Sequence, residues 1–271
     1  MLDPTTDPRA TDSIIGIFQF GPAIVTRFAQ MVRILETGVG ESYDGSFKED
    51  IARAIRTLHF KVAKEVLCDK VFKHPALIQA GVPAGLQRGG FLVAEVGCGA
   101  GVALCELAAR FPDSTFHGFE LSKEALTRAR AQAQFRRLAN IEFFDVAERP
   151  MGTEPVYDFA WCYDVIHDCT HPVQVIETVR QALKPSAVFL VLDIEASDDP
   201  VENINHPGAA THYGISCGLC LQSGAATKDG AGLGTKGLHE PLMREMALKA
   251  GFSAVEKLVV PDINNSCFLL S

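Results

Sequence analysis

The sequence lacks the features that mark a membrane protein or a nucleic-acid binder. It has no run approaching the roughly 18 uninterrupted apolar residues that a membrane-spanning helix needs, and its start shows no basic segment followed by an apolar one. It also has no excess of positive charge, because 25 Lys and Arg face 33 Asp and Glu, for a net charge of −8. These absences predict a cytoplasmic protein with no membrane or nucleic-acid partner.

Cysteine pairs with the spacing of a metal site are also scarce. The 8 cysteines are scattered through apolar segments, and a chain of 271 residues does not need disulfides for stability, so we expect reduced thiols. Cys217 and Cys220 form a single C-x-x-C pair, and the spacing of His206, His212 and His239 matches no common zinc ligand set. The sequence therefore predicts no metal site.

The amino-terminal third reads as a tail followed by helices. Residues 1–12 carry Pro4 and Pro8 without apolar periodicity, which is typical of a mobile tail. Residues 13–85 have helical periodicity, and Ser46 followed by Glu49 is a capping box that predicts a helix over 47–67. This helical extension is expected to pack on the rest of the chain or on a second subunit, so a homodimer through these helices stays open.

From about residue 86 onward, short apolar runs alternate with helical patterns, which predicts βαβ units and a doubly wound, mostly parallel α/β sheet. Strands are expected near residues 91–96, 115–119, 141–144, 157–163 and 187–193. Helices are expected over residues 101–110, 123–137, 172–183 and 237–250. Two further apolar segments, 253–260 and 265–270, are separated by a short turn and are expected to pair antiparallel at the sheet edge, which makes seven strands.

The segment 197–236 differs from the rest, because it has clustered glycines and no clean helical period. A loop of this length in a compact domain usually covers a site or is disordered. We expect it to be a lid-like insertion over the site.

The stretch "VAEVGCGAGVALCELAAR" combines a buried strand, a glycine turn and a helix start. Glycine lets a ligand approach the backbone closely, and the free amides of a helix start favour a negative group. A dinucleotide fingerprint would place a glycine where this chain has Val102, so an NAD-dependent oxidoreductase is disfavoured. Glu120, at the end of the second strand, is positioned to accept both hydroxyls of a ribose. The pattern favours a single nucleoside as ligand.

These motifs resemble those of class I S-adenosylmethionine-dependent methyltransferases. The motif "AEVGCGAG" is similar to the family's glycine motif, "GFELS" to its ribose segment, "FFDVAE" to its adenine segment, and "YDVIHD" to the segment beside the methyl group. The resemblance implies S-adenosylmethionine as cofactor and a seven-stranded Rossmann-like sheet. It further implies cofactor-binding roles for Glu95, Gly97, Gly99, Gly101, Glu120, Leu121, Asp145, Val146, Tyr163 and Asp164.

Within that family, "YGISCGLCL" and "GAGLGTKG" look like segments of a subgroup that usually carries an amino-terminal winged-helix domain. The ninety or so residues before the glycine turn are too few for a winged helix plus the helices that connect it. We therefore expect only the connecting helices in this chain.

Methyl transfer needs a base only when the accepting atom must lose a proton. His167 follows the fourth strand, at the sheet edge where ligands bind, and its intrinsic pKa suits a general base; Asp168 beside it is positioned to orient it or to act itself. The alternative is that both residues cap the following helix and only line the pocket. Tyr213 and Ser216 are candidates for the acceptor pocket, with packing of the insertion as the alternative.

The sequence therefore predicts a methyltransferase that acts on a small or medium-sized acceptor. The alternative is a protein that binds S-adenosylmethionine without turnover and acts through a partner or a dimer interface.

Overall fold

Seven strands form one sheet in the computed structural model, which describes residues 31–32, 34, 36–40, 59 and 62–271. The strands are β1 Leu92–Val96, β2 Thr115–Glu120, β3 Ile141–Asp145, β4 Tyr157–Tyr163, β5 Leu183–Ile194, β6 Val255–Leu258 and β7 Asn265–Leu270. Their order is β3-β2-β1-β4-β5-β7-β6. The first five strands pair in parallel, whereas β7 pairs antiparallel with both β5 and β6. The predicted seven-stranded sheet and its antiparallel edge are confirmed.

Helices connect the strands at nearly the predicted bounds. The described α-helices are α1 Pro75–Gln79, α2 Val82–Arg88, α3 Val102–Arg110, α4 Lys123–Phe135, α5 Pro172–Ala182, α6 Pro200–Asn205, α7 Ala209–Ile215, α8 Leu221–Gly224 and α9 Glu240–Lys249. The four helices predicted after the glycine turn correspond to α3, α4, α5 and α9. The tail at 1–12 and most of the helix predicted over 47–67 lie outside the described residues. The described end of that prediction belongs to a π-helix, Val62–Cys68.

Each face of the sheet carries its own apolar core, as the near-continuous apolar strands require. One core joins strand residues such as Phe159 to Leu104 of α3 and Leu126 of α4. The other joins strand residues such as Phe189 to Ile176 of α5 and Met243 of α9. The two layers leave the carboxyl ends of the parallel strands free for a site, at the point between β1 and β4 where the strand order reverses.

The segment 197–236 is more helical than its sequence predicts. It folds into α6, α7, a π-helix over Ser216–Cys220, and α8 before the chain reaches α9. The glycines Gly232 and Gly234 lie at its end with positive φ angles of 56° and 68°. The glycine-rich sequence therefore forms the part of the segment that follows these helices, and the segment as a whole is not one long loop.

Candidate active site

The turn between β1 and α3 is built from three glycines. Gly97, Gly99 and Gly101 have φ angles of 66°, 51° and 69°, a region that residues with a Cβ atom rarely adopt. A Cβ atom on Gly97 would lie 2.5 Å from Val165, and one on Gly101 would lie 2.6 Å from Phe143. No atom lies within 4 Å of a Cβ position on Gly99, whose open side faces a cavity. Gly97 and Gly101 are therefore needed for packing, and Gly99 leaves room for a ligand.

The carboxylate of Glu120 lies beside this turn. Its Oε2 accepts a hydrogen bond from the Gly99 amide at 2.9 Å, and its Oε1 accepts from the amides of Leu121 and Ser122 at 2.8 Å each. These bonds occupy three of the roughly four acceptor positions of a carboxylate. Ser122 Oγ accepts from the Ala125 amide and so caps α4 itself. Glu120 is therefore free of the capping role and faces the cavity.

A cavity of about 940 Å³ opens along the carboxyl ends of the parallel strands. Pockets for small ligands measure roughly 300–1,000 Å³, so this one has room for a cofactor and an acceptor together. The predicted site residues that line it are Gly97, Gly99, Glu120, Leu121, Val146, Tyr163, Asp164, His167 and Asp168. The predicted residues outside its lining are Glu95, Gly101, Asp145, Tyr213 and Ser216.

Glu95 lies on β1 directly behind the glycine turn and is only 2% exposed. Among the described residues its Oε2 has no hydrogen-bond partner. Burial, and after it the charge of Glu120, raises the pKa of the Glu95 carboxyl well above its usual range. A buried carboxyl oxygen without a partner is the kind of group that a ligand ammonium can satisfy.

Asp145 is the last residue of β3, and Val146 follows it. Val146 lines the cavity. The Oδ1 of Asp145 accepts from the Ala147 amide at 2.9 Å, and its Oδ2 lies 3.6 Å from the Lys123 ammonium. Asp145 thus shapes the turn beside the cavity, and a contact between its carboxylate and the adenine amino group stays a prediction.

Tyr163 ends β4, Asp164 follows it, and one residue of β7 forms hydrogen bonds with both side chains. Asn265 donates from Nδ2 to Asp164 Oδ1 at 2.6 Å, and its own Oδ1 accepts from the Tyr163 hydroxyl at 3.1 Å. Asp164 has a φ angle of 54°, so the chain turns sharply there. Burial, followed by the charge of Asp193, raises the pKa of Asp164 to about 8. Asn265 was missed by the sequence analysis.

His167 is held between two carboxylates. The residue is 3% exposed and lies in a short 3-10 turn, Ile166–Asp168. Its Nδ1 is 2.5 Å from Asp193 Oδ1, and its Nε2 is 3.2 Å from Asp168 Oδ1. Burial alone lowers the pKa of His167, but the charges and hydrogen bonds of Asp168 and Asp193 outweigh burial and raise the pKa well above its usual value. Helix α5 begins at Pro172 with His171 at its N-cap, so neither His167 nor Asp168 is the N-cap residue of that helix.

The two acceptor-pocket candidates of the insertion do not line the cavity. Tyr213 is 38% exposed, and the buried Ser216 uses its Oγ to accept from the Thr235 amide. Their neighbours in the insertion line the cavity instead; these are Thr211, His212, Ile215, Leu219, Cys220 and Ser223. Successive side chains of a helix such as α7 point in different directions, so some of them face the cavity while Tyr213 faces away from it.

The helical extension contributes His59 to the cavity lining. Its ring lies edge-on to that of Tyr163, with 5.1 Å between the ring centroids. Burial lowers the pKa of His59 to about 4, so the imidazole is neutral at physiological pH. No motif in the sequence marks His59, because its role depends on how the extension packs over the sheet.

Comparisons with known proteins agree with this fold. Residues 94–189 match the family model described as a methyltransferase domain. Comparison with curated protein sequences gives no match. Three solved structures share the fold at low identity, and the first is the mitomycin 7-O-methyltransferase MmcR, with 19% identity and a TM-score of 0.65 over 100% of this chain and 73% of that chain.

The second is an O-methyltransferase family protein from Burkholderia thailandensis, with 16% identity and a TM-score of 0.60 over 91% of this chain and 68% of that chain. The third is human N-acetylserotonin methyltransferase in complex with S-adenosylmethionine, with 15% identity and a TM-score of 0.58 over 90% of this chain and 65% of that chain.

The sheet and its flanking helices have the Rossmann-like fold of methyltransferases. Residues 94–189 form a methyltransferase domain, and the chain is an S-adenosylmethionine-dependent methyltransferase. Within the described residues, none of the helices has the length and apolar character to cross a bilayer.

Proposed function

We propose that this methyltransferase transfers the methyl group of S-adenosylmethionine to a hydroxyl oxygen of a small acceptor bound in the cavity. The observation that carries the proposal is the pair of carboxylates around His167, with Asp193 Oδ1 at 2.5 Å from Nδ1 and Asp168 Oδ1 at 3.2 Å from Nε2. A hydroxyl acceptor must lose a proton during transfer, whereas a thioether acceptor has none to lose. A buried imidazole held in this way is suited to take that proton.

The residues around the glycine turn are proposed to hold the cofactor. Gly99 leaves open space, and Glu120 presents a carboxylate to a ribose hydroxyl. Glu95 lies behind the turn and outside the cavity lining, and it is proposed to support the methionine amino end of the cofactor from there. The bound cofactor supplies an electrophilic methyl group on a sulfonium. The residues themselves supply position and exclusion of water, which are the main protein contributions to an in-line displacement.

His167 is proposed to act as the general base. Asp193 accepts the Nδ1 hydrogen, so the neutral imidazole keeps its lone pair on Nε2, the nitrogen nearer to Asp168. When Nε2 takes the proton of the acceptor hydroxyl, the carboxylates of Asp168 and Asp193 stabilise the imidazolium that forms. Aligning the acceptor oxygen with the methyl group falls to the walls of the cavity.

The segment 197–236 is proposed to cover the acceptor side of the cavity. Thr211, Ile215 and Leu219 line the cavity from this segment. Together with residues 86–196 and 237–271 it would form the methyltransferase domain, with 13–85 as a helical extension. His59 supports a contribution of that extension to the site, because its ring contacts Tyr163.

Two finer proposals concern the setting in which the enzyme works. All 8 cysteines are free thiols, and most are buried, which supports a reducing compartment such as the cytoplasm.

The helical extension is proposed to form a homodimer interface, and the molecular mass in solution tests this proposal. A monomeric mass at micromolar concentration would overturn the dimer without affecting the proposed reaction.

The test of hydroxyl methylation is a screen of small phenols, alcohols, amines and thiols with labelled S-adenosylmethionine. We expect label on a hydroxyl, and a His167→Gln variant that binds the cofactor normally but transfers about 10²–10⁴-fold more slowly. His206→Gln is the matched control, because His206 does not line this cavity. Transfer to amines or thiols alone, undiminished in His167→Gln, would overturn the proposal.

A further inference from the structure

Three side chains of different chemistry converge in the lining of the cavity. One ligand atom each of His167, Asp168 and Cys220 lies within 4.8 Å of the other two. His167 and Cys220 are buried, Asp168 is half-buried, and all three line the cavity. We propose that this cluster is a binding site for a single zinc ion.

The donor set has the chemistry that zinc prefers. Imidazole nitrogen, carboxylate oxygen and thiolate sulfur are its usual protein ligands. Nε2 of His167 and Oδ1 of Asp168 are already 3.2 Å apart, and the Cys220 side chain makes a hydrogen bond with His167. Zinc sites with three protein ligands leave a fourth position open, and here that position would face the cavity.

The surroundings of His167 also fit a metal ligand. A histidine that binds a metal through one ring nitrogen usually donates the hydrogen on the other to a carboxylate. Asp193 Oδ1 holds Nδ1 at 2.5 Å, and Asp193 Oδ2 accepts from the amides of Ile166 and His167 at 3.1 Å and 3.3 Å. This network directs Nε2 toward Asp168 and Cys220, so a zinc ion would take the place of the Nε2 proton.

The charge of the cavity lining favours a cation. Its acidic residues include Glu120, Asp164 and Asp168, and no lysine or arginine is found among the described residues that line it. A divalent ion on Asp168 and Cys220 would offset part of this negative charge.

Zinc binding has a consequence for catalysis that rests on the proposed function. The Nε2 lone pair of His167 can either take a proton from the acceptor or bind the metal, because it is a single electron pair. Zinc is therefore expected to slow methyl transfer, and chelation to restore it. The binding of zinc itself does not depend on any methyltransferase activity.

The experiment uses the full chain, reduced with a phosphine and free of S-adenosylmethionine and acceptor. Zinc chloride is titrated into the protein, and the zinc retained per chain is measured by mass spectrometry. In a parallel sample cobalt chloride replaces zinc, because a cobalt–thiolate bond gives a charge-transfer absorption band. We expect a single zinc ion per chain and a cobalt–thiolate band. Cys220→Ser should lose the band and bind zinc about tenfold or more weakly.

Cys217→Ser is the matched control, because Cys217 is three positions earlier and does not line the cavity. It should keep both the band and the zinc. Asp168→Asn should also weaken zinc binding. Because Asp168 is only half-buried, this variant tests the site even if Cys220→Ser does not fold. No retained zinc in the wild type, or a cobalt–thiolate band that survives Cys220→Ser, would overturn the site while leaving hydroxyl methylation untouched.

Discussion

The Nδ1 atom of His167 and the Oδ1 atom of Asp193 lie 2.5 Å apart, and this contact joins the turn after β4 to the carboxyl end of β5. Asp193 is fully buried, and its carboxylate also accepts from the amides of Ile166, His167 and Ile194. The position of the imidazole is therefore fixed by the sheet itself. That rigidity is what a proton-accepting group needs at the moment of transfer.

Methyl transfer is expected to increase with pH into the alkaline range. The folded protein raises the pKa of His167, through Asp168 and Asp193, well above its ordinary value. The neutral imidazole is the form that accepts a proton, so activity is lost as pH falls below the raised pKa. Asp193→Asn removes one of the two charges and should move the rising limb of the kcat/KM profile to lower pH, with a lower plateau. An unchanged profile in Asp193→Asn would contradict the assignment of His167 as base.

Glu120→Gln is expected to weaken S-adenosylmethionine binding more than it weakens the fold. The glutamine oxygen can still accept from the Leu121 and Ser122 amides, but the side-chain NH2 group cannot accept from the Gly99 amide as Oε2 does. The charge-assisted bond to a ribose hydroxyl is also lost, a cost of about 1.5–3 kcal/mol, or roughly 10–150-fold in Kd. Calorimetric titration with the cofactor measures this change. Glu142→Gln, at an exposed position on β3, serves as the control and should bind as the wild type does.

The pair Gly99→Ala and Gly101→Ala separates binding from stability. Both residues have positive φ, so each alanine costs about 1–2 kcal/mol in backbone strain. The new methyl group of Gly99→Ala enters open space, whereas that of Gly101→Ala meets Phe143 at 2.6 Å. Thermal unfolding should show the larger loss of Tm in Gly101→Ala, and cofactor titration should show loss of binding in Gly99→Ala at a temperature where both are folded. The opposite ranking of Tm would contradict this account of the turn.

The sheet and the glycine turn could be predicted from the sequence, because both depend on local order along the chain. The strand runs, the capping Ser122 and the position of Glu120 follow from spacing alone. Asn265 could not be predicted as a partner of Asp164, since 101 positions separate them and only the antiparallel pairing of β7 brings them together. The cavity-facing residues of the insertion depend on helix rotation, which is why Ile215 lines the cavity and Tyr213 does not.

Asp164→Asn is expected to stabilise the fold at alkaline pH and to impair the enzyme. Burial, with a contribution from the charge of Asp193, raises the pKa of Asp164 to about 8 in the folded protein, against an ordinary value of 3.8. The stability that this group contributes is therefore fully present below the unfolded pKa and is lost as pH rises through about 8. Asparagine carries no ionisable proton and keeps the oxygen that accepts from Asn265, so the variant should unfold at a higher temperature than the wild type at pH values above that pKa. The gain in Tm should vanish in acid, where the wild-type carboxyl is neutral in both states.

Thermal melts of the wild type and Asp164→Asn across the pH range measure this gain. Asp113→Asn is the control, because Asp113 lies outside the cavity, and its difference in Tm from the wild type should not follow that pH dependence. If the Asp164→Asn gain were the same at every pH, ionisation of Asp164 would not be its cause.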